Sequence, residues 1–73
     1  METKVVRYPE LNRVYRHYKG GVYEVMTLAK HSETDETMVV YKSLLFGSYH
    51  VRPLSMWFEI IDTTRGFERF ELI

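Results

Sequence analysis

Val22-Tyr23-Glu24-Val25-Met26-Thr27-Leu28-Ala29-Lys30-His31, then Ser32-Glu33-Thr34-Asp35-Glu36, then Thr37-Met38-Val39-Val40-Tyr41-Lys42-Ser43-Leu44-Leu45-Phe46: this central stretch decides the fold. Two runs rich in Val, Tyr and Thr flank a short polar loop, the signature of a long β-hairpin. Ser, Asp and Thr can turn the chain in that loop, although it holds no Gly. A helix is the rival reading for Met38 to Phe46. Val39-Val40 and Tyr41 oppose it, because β-branched and aromatic side chains lose χ1 freedom in a helix.

Outward from the hairpin, the 73 residues make one domain. A chain this short buries only about 60% of its unfolded surface. Its core supplies roughly 3–5 kcal/mol, and folds of this size usually need a staple. There is no cysteine, which excludes disulfides, Cys-ligated zinc and a Cys nucleophile. An aromatic fraction of 15% is the substitute, since each ring brings a large apolar area. Net charge is zero, which argues against a dedicated nucleic-acid binder. The charge is uneven: residues 1–31 hold six Lys/Arg against three Glu, and residues 32–73 hold four against seven Asp/Glu. Pairing of the two halves across a sheet accounts for that split. No apolar run approaches the ~18 residues of a membrane span, so no membrane contact is expected. Met1-Glu2-Thr3-Lys4 leads into a mixed segment without an apolar h-region, and a cytoplasmic location is the expectation.

Along the chain, residues 1–13 form a lead-in. Thr3 to Tyr8 is a possible edge strand ended by Pro9, or else flexible. Residues 14–73 form the domain proper. Val14 to Lys19 is the first core strand, and Gly20-Gly21 a two-residue turn into the hairpin. In the second strand, Val22, Met26 and Leu28 alternate against Tyr23, Val25, Thr27, Ala29 and His31, and neither face is cleanly polar. That pattern suits a small, tightly curved barrel. Gly47-Ser48 turns the chain into Tyr49 to Arg52, which Pro53 ends. Pro53 to Met56 fits one 3₁₀ turn. Met56 to Ile61 is a further strand, Asp62 to Gly66 a turn, and Phe67 to Ile73 a last strand. This order of lengths predicts an all-β, SH3-like antiparallel barrel of five or six strands with one short 3₁₀ turn.

Tyr15-Arg16-His17-Tyr18-Lys19-Gly20, Tyr23-Glu24-Val25, Ala29-Lys30-His31-Ser32-Glu33-Thr34, Val39-Val40-Tyr41 and Val51-Arg52-Pro53-Leu54-Ser55-Met56-Trp57 carry a resemblance. In combination they resemble a small, mainly bacterial family of domains of unknown function, number sixteen fifty-three of that series. The likeness runs from about Tyr15 to Glu59 and weakly to Arg69-Phe70. It departs at Trp57, where the family leads one to expect Phe, and in residues 1–13, which the pattern does not cover. It implies a compact β domain and carries no established activity onto any residue.

The residues that could carry chemistry are few. His17 and His31 with Glu33 have the right ligand types for a metal, but the spacing is no known zinc pattern and there is no HExxH helix. The plainer reading is that each imidazole caps a strand end by bonding a backbone carbonyl. Ser32 beside His31 lacks a nucleophile elbow, and strand neighbours point apart. Glu33 and Glu36 in a loop read as a solvated cluster. No enzyme, metal or cofactor is therefore expected. Arg52, held extended by Pro53, can grip a carboxylate or phosphate, or else pairs internally with Glu33, Glu36 or Glu59. Tyr15, Arg16, Tyr18, Lys19 and Tyr23 could form an aromatic, basic groove, although most rings belong in the core. The leading expectation is a non-enzymatic module that binds a protein partner through that groove or a sheet edge. The alternatives are a nucleic-acid binder using Arg16, Lys19, Lys30 and Arg52, and a small-ligand or hydrolytic site at His17, His31 and Arg52. The chain is expected to be a monomer or a homodimer.

Overall fold

A computed structural model describes residues 7–62 and 65–73. Its element order is β1 (Val14–His17), β2 (Val22–Lys30), β3 (Thr37–Ser43), β4 (Tyr49–Pro53), α1 (Leu54–Trp57), β5 (Ile60–Asp62), β6 (Phe67–Glu68) and β7 (Phe70–Leu72). The predicted hairpin is β2 and β3, antiparallel from Tyr23 opposite Ser43 to Lys30 opposite Thr37. Five strands form one antiparallel sheet in the order β4-β3-β2-β1-β7, and β5 pairs with β6. The domain is all-β. The larger sheet is open: β4 and β7 lie at opposite edges and do not pair, so the closed barrel expected from the strand lengths is not formed.

Three other expectations are corrected. The turn after Pro53 is a single α-helical turn, Leu54–Trp57, in place of a 3₁₀ turn, and it takes up Met56 and Trp57 from the expected strand. The last strand is two short ones, broken at Arg69, whose N–H turns aside to donate to Glu59 O at 2.8 Å. The Gly20-Gly21 turn is a three-residue loop, Tyr18 to Gly20, because His17 N–H already bonds Gly21 O at 2.7 Å. Only Gly20 of that pair has positive φ, +106°. The expected strand from Thr3 lies mainly outside the described residues, as does the tip of the Asp62–Gly66 turn. Arg7 to Glu10 are described and form no strand.

The ambiguous faces of β2 have a local cause. A β-bulge between Val25 and Thr27 sets Val25 opposite Tyr41 but Thr27 opposite Val40. One extra residue shifts the side-chain phase, since strands alternate with period two. Tyr23 and Val25 therefore share the inner face with Leu28, not with Thr27. The inner face carries the core: Tyr15, Val25, Val39, Tyr41, Trp57 and Phe70 are buried, with Leu28, Leu54 and Phe58 packed against them. Trp57 stacks on Phe70 at 3.8 Å between centroids, 2° from parallel. Tyr41 stands edge-on to both rings, at 5.1 and 5.5 Å, and Tyr15 edge-on to Trp57 at 5.5 Å. The indole N–H of Trp57 is fully buried and finds no acceptor among the described residues.

Trp57 thus combines a large packing gain with an orphaned donor, whose burial typically costs about 1–3 kcal/mol. Trp57→Phe loses ring area but also that donor, so its unfolding free energy should lie within about 1 kcal/mol of wild type. Trp57→Ala loses the ring outright and should cost about 3–5 kcal/mol, enough to leave most of the chain unfolded. Urea titration followed by circular dichroism measures both. A Phe variant as damaged as the Ala variant contradicts the account.

The three hairpin loops of the five-stranded sheet close by one device. A residue of positive φ precedes the returning strand and donates its N–H back to the residue before the loop: Gly20 to His17 O, Asp35 to His31 O and Gly47 to Ser43 O, each at 2.8 Å. The residue before the loop then donates to the next carbonyl: His17 to Gly21, His31 to Glu36, Ser43 to Ser48. Asp35 does at φ +60° what glycine does in the other loops. An L side chain in that region costs roughly 1–2 kcal/mol, somewhat less for Asp. Asp35→Gly should therefore stabilise the domain by about 0.5 kcal/mol after the added freedom of the unfolded chain, and Gly47→Ala should destabilise it by about 1 kcal/mol. Opposite signs in the two thermal midpoints are the expected result.

Candidate functional site

Past the Trp57–Phe70 stack, the inner face runs out toward the β1–β2 loop, and its side chains become polar. The register sets His50 opposite Tyr41 and Arg52 opposite Val39, so period two places both on the inner face. His17 lies opposite Phe70 on β7, and Tyr23 opposite Tyr15 on β1. The result is a cluster around Tyr41 and Phe70 made by His17, Tyr23, His50 and Arg52. Tyr23 stands edge-on to Tyr41, His50 and Phe70 at 5.2, 5.9 and 5.9 Å. His50 stacks on Tyr41 at 5.5 Å, and its Nε2 lies 2.9 Å from Ser48 Oγ. Gly21 is needed beneath this cluster: a Cβ there would fall 2.8 Å from Tyr23 Oη.

Arg52 is half-buried at this end of the face. Its Nε donates weakly to Tyr41 Oη at 3.4 Å, and its guanidinium lies 5.7 Å from the Phe70 centroid. Of the carboxylates proposed for it, Glu59 pairs with Arg69 at 2.9 Å, while Glu33 and Glu36 sit in the β2–β3 loop. No ion pair to Arg52 forms among the described residues. A guanidinium has five donors, and among the described residues only the Nε of Arg52 makes a hydrogen bond.

His17 is half-buried beside this cation, edge-on to Phe70 at 4.9 Å and tilted against Tyr18 at 4.6 Å. Its Nδ1 accepts from Lys19 N–H at 3.1 Å, which puts the proton of the neutral ring on Nε2. Burial holds its pKa below the ordinary 6.5, and the charges of Arg52, Arg69 and Lys19 push the same way. A cleft of about 320 Å³ opens beside it, where Arg16, Tyr18 and Phe67 face Glu68 and Glu71.

The other sequence candidates fall elsewhere. Tyr15 is in the core, and its hydroxyl accepts from Glu10 N–H at 2.9 Å. Arg16 points to the outer face, opposite Glu71 and Val22. His31 and Glu33 lie beyond the far end of β2, a strand whose nine residues span roughly 30 Å. His31 Nδ1 accepts from Glu33 N–H and Thr34 N–H at 3.2 and 3.4 Å. Each of these two imidazoles thus caps a loop as an acceptor, the reverse of the expected bond to a carbonyl. Among the described residues no group of three His, Asp or Glu side chains could hold a metal, and no helix is long and apolar enough to cross a membrane. His50 was missed, although the alternation that leads from Arg52 back two residues reaches it.

This is an open, all-β domain with a cationic, aromatic end to its inner face. The chain belongs to the DUF1653 family, described as proteins of unknown function, whose model matches residues 13–72. The crystal structure of a protein of that family from Bordetella bronchiseptica is similar to it at 41% identity over 85% of each chain, with a TM-score of 0.74. None of the curated proteins matches.

The low pKa of His17 has a consequence for stability. On acidification the unfolded chain takes this proton first, near 6.5, because the folded site resists it. Stability is therefore full above that pH, falls as pH drops below it, and levels off once the folded-state pKa is passed. Urea midpoints between pH 8 and 5.5 should fall for the wild type and fall less for His17→Gln. Parallel pH profiles for the two proteins would contradict the burial of a neutral imidazole.

Proposed function

We propose that the domain is a non-enzymatic binding module that takes a protein partner on the aromatic, cationic end of its inner face. Arg52 carries this reading: a half-buried cation among rings, with no carboxylate paired to it among the described residues. Its weak bond to Tyr41 Oη leaves other donors that a ligand's carboxylate can engage bidentately, which supports the reading. Half-exposed Tyr23 and exposed His50 add flat, low-entropy contact area around it. On this reading the domain works as SH3-like modules do, offering an aromatic sheet surface to an extended peptide. A cytoplasmic setting agrees with the absence of cysteine.

The nucleic-acid alternative draws less support. Arg16 points to the outer face, and Lys30 sits at the far end of β2, where its Nζ donates to Asp35 O and Thr37 Oγ1. The four basic residues named for it form no continuous stripe, which backbone tracking requires.

Amide shift mapping of the labelled full chain tests the reading, with a Pro-rich decapeptide, an acidic extended peptide and a short mixed-sequence RNA as probes. Shifts at His17, Tyr23, His50 and Arg52 that follow a peptide and survive moderate salt are the expected result. RNA shifts should be absent or disappear with salt. RNA binding that persists at moderate salt, or a face unmoved by either peptide, overturns it.

A further inference from the structure

β4 is an edge strand with an unusual distribution of side chains. Ser43 N–H donates to Ser48 O at 2.8 Å, which fixes the phase of the β3–β4 ladder. Antiparallel alternation then directs the N–H and C=O groups of His50 and Arg52 toward β3, and those of Tyr49 and Val51 toward the open side. Pro53, whose register position also faces that side, has no N–H to offer. Tyr49 and Val51, on the outer face, are 62% and 57% exposed. On the inner face the strand ends at Arg52.

We propose that this edge is completed by an extended peptide segment of a partner protein that adds as a strand beside β4, a carboxylate side chain on its inner face meeting Arg52 and apolar side chains on its outer face covering Tyr49 and Val51. The inference rests on the reading of this domain as a protein-binding module and names the partner's chemistry. Strand addition satisfies the backbone groups of Tyr49 and Val51, which have no partner among the described residues, and supplies specificity through alternate side chains. A residue opposite or diagonal to Arg52 in an added strand has its Cβ about 5–8 Å from that of Arg52, and the guanidinium, held by a weak bond to Tyr41 Oη, can turn to meet it. The site is built for one negative charge. Arg69 is already neutralised by Glu59, and Lys19 lies on the loop at the other side of the cluster. One uncompensated guanidinium matches a carboxylate, in bidentate geometry, better than a phosphate dianion. A second copy of this chain fits the edge less well. Tyr49-His50-Val51-Arg52-Pro53 contains no acid, so β4 against β4 would offer Arg52 no carboxylate.

The experiment uses the ¹⁵N-labelled full chain and two acetylated, amidated octapeptides, one alternating Glu with Val and one with Gln in place of Glu. The Glu peptide should shift the Tyr49 and Val51 amides, slow their exchange with solvent, and shift the Arg52 Nε–H signal. The Gln peptide should bind about tenfold more weakly, the factor that one charge-assisted pair supplies. Arg52→Gln should bind the two peptides equally. The comparison of peptides on the wild type stands even if that variant misfolds. Equal binding of the two peptides by the wild type overturns the inference. So do Glu-peptide shifts confined to His17, Tyr23 and His50 with the Tyr49 and Val51 amides unmoved, although the protein-binding reading then survives. Silence of the whole inner face overturns both. Protected Tyr49 and Val51 amides in the free protein, with the mass of a dimer by sedimentation, assign the edge to self-association instead.

Discussion

The parallel stack of Trp57 on Phe70 holds the domain together. Trp57 comes from the helical turn that follows β4, and Phe70 lies on β7, so the two rings belong to opposite ends of a five-stranded sheet. Joining them folds the ends toward each other over Tyr41, which stands edge-on to both. A five-stranded sheet with so few residues has little else to bury, because short chains remove a smaller share of their surface from water. Rings are the efficient answer, since each buries much area with few rotatable bonds to order. With no disulfide available, the cluster of stacked and edge-on rings does the stapling.

That constraint also shapes the open end of the face. Phe70 has one side against Trp57, and His17 meets it edge-on with Arg52 close by. Arg52 is thus held by a weak bond to Tyr41 and by the ring field around it, a setting that orients the guanidinium without neutralising it. The same low-dielectric neighbourhood keeps His17 neutral. Burial is the larger cause of its depressed pKa, and the charge of Arg52, which a protonated His17 would face, adds to it.

Much of this was legible in the residues. Val39-Val40-Tyr41 identified a strand against the helical alternative, and Pro53 ended β4 where expected, because a ring-locked residue cannot donate to a ladder. Positions decided by local chemistry were readable; those decided by a partner strand were not. The bulge at Met26 has no marker in the sequence, since Val25-Met26-Thr27 reads equally well as regular strand, and only pairing with β3 reveals the phase shift. That hidden residue made both faces of β2 look mixed and suggested a closed barrel. Pro53 to Met56 fits a 3₁₀ turn by its length, yet packing of Trp57 under the sheet fixes an α-helical turn at Leu54–Trp57. For the site, Arg52, His17 and Tyr23 were named by residue type and are brought together by register, whereas His31 and Glu33 are equally plausible by type and lie at the far end of β2. Residue chemistry nominates; topology selects.

The uneven charge of the chain gains a physical sense from the same topology. Arg7 from the basic half pairs with Glu68 from the acidic half and covers Phe58 at 3.8 Å, joining the lead-in to the C-terminal strands. Arg69 and Glu59 pair within the acidic half. Such exposed pairs contribute little stability individually, but they consume the nearby carboxylates. What remains on the inner face is Arg52, a cation with no carboxylate paired to it among the described residues. An edge strand is ordinarily protected by charge or proline against unwanted pairing, and β4 carries both, in Arg52 and Pro53. Arg52 therefore serves two ends with one charge: it discourages pairing with a neutral or basic strand, including a second copy, and it leaves the edge open to an acidic one.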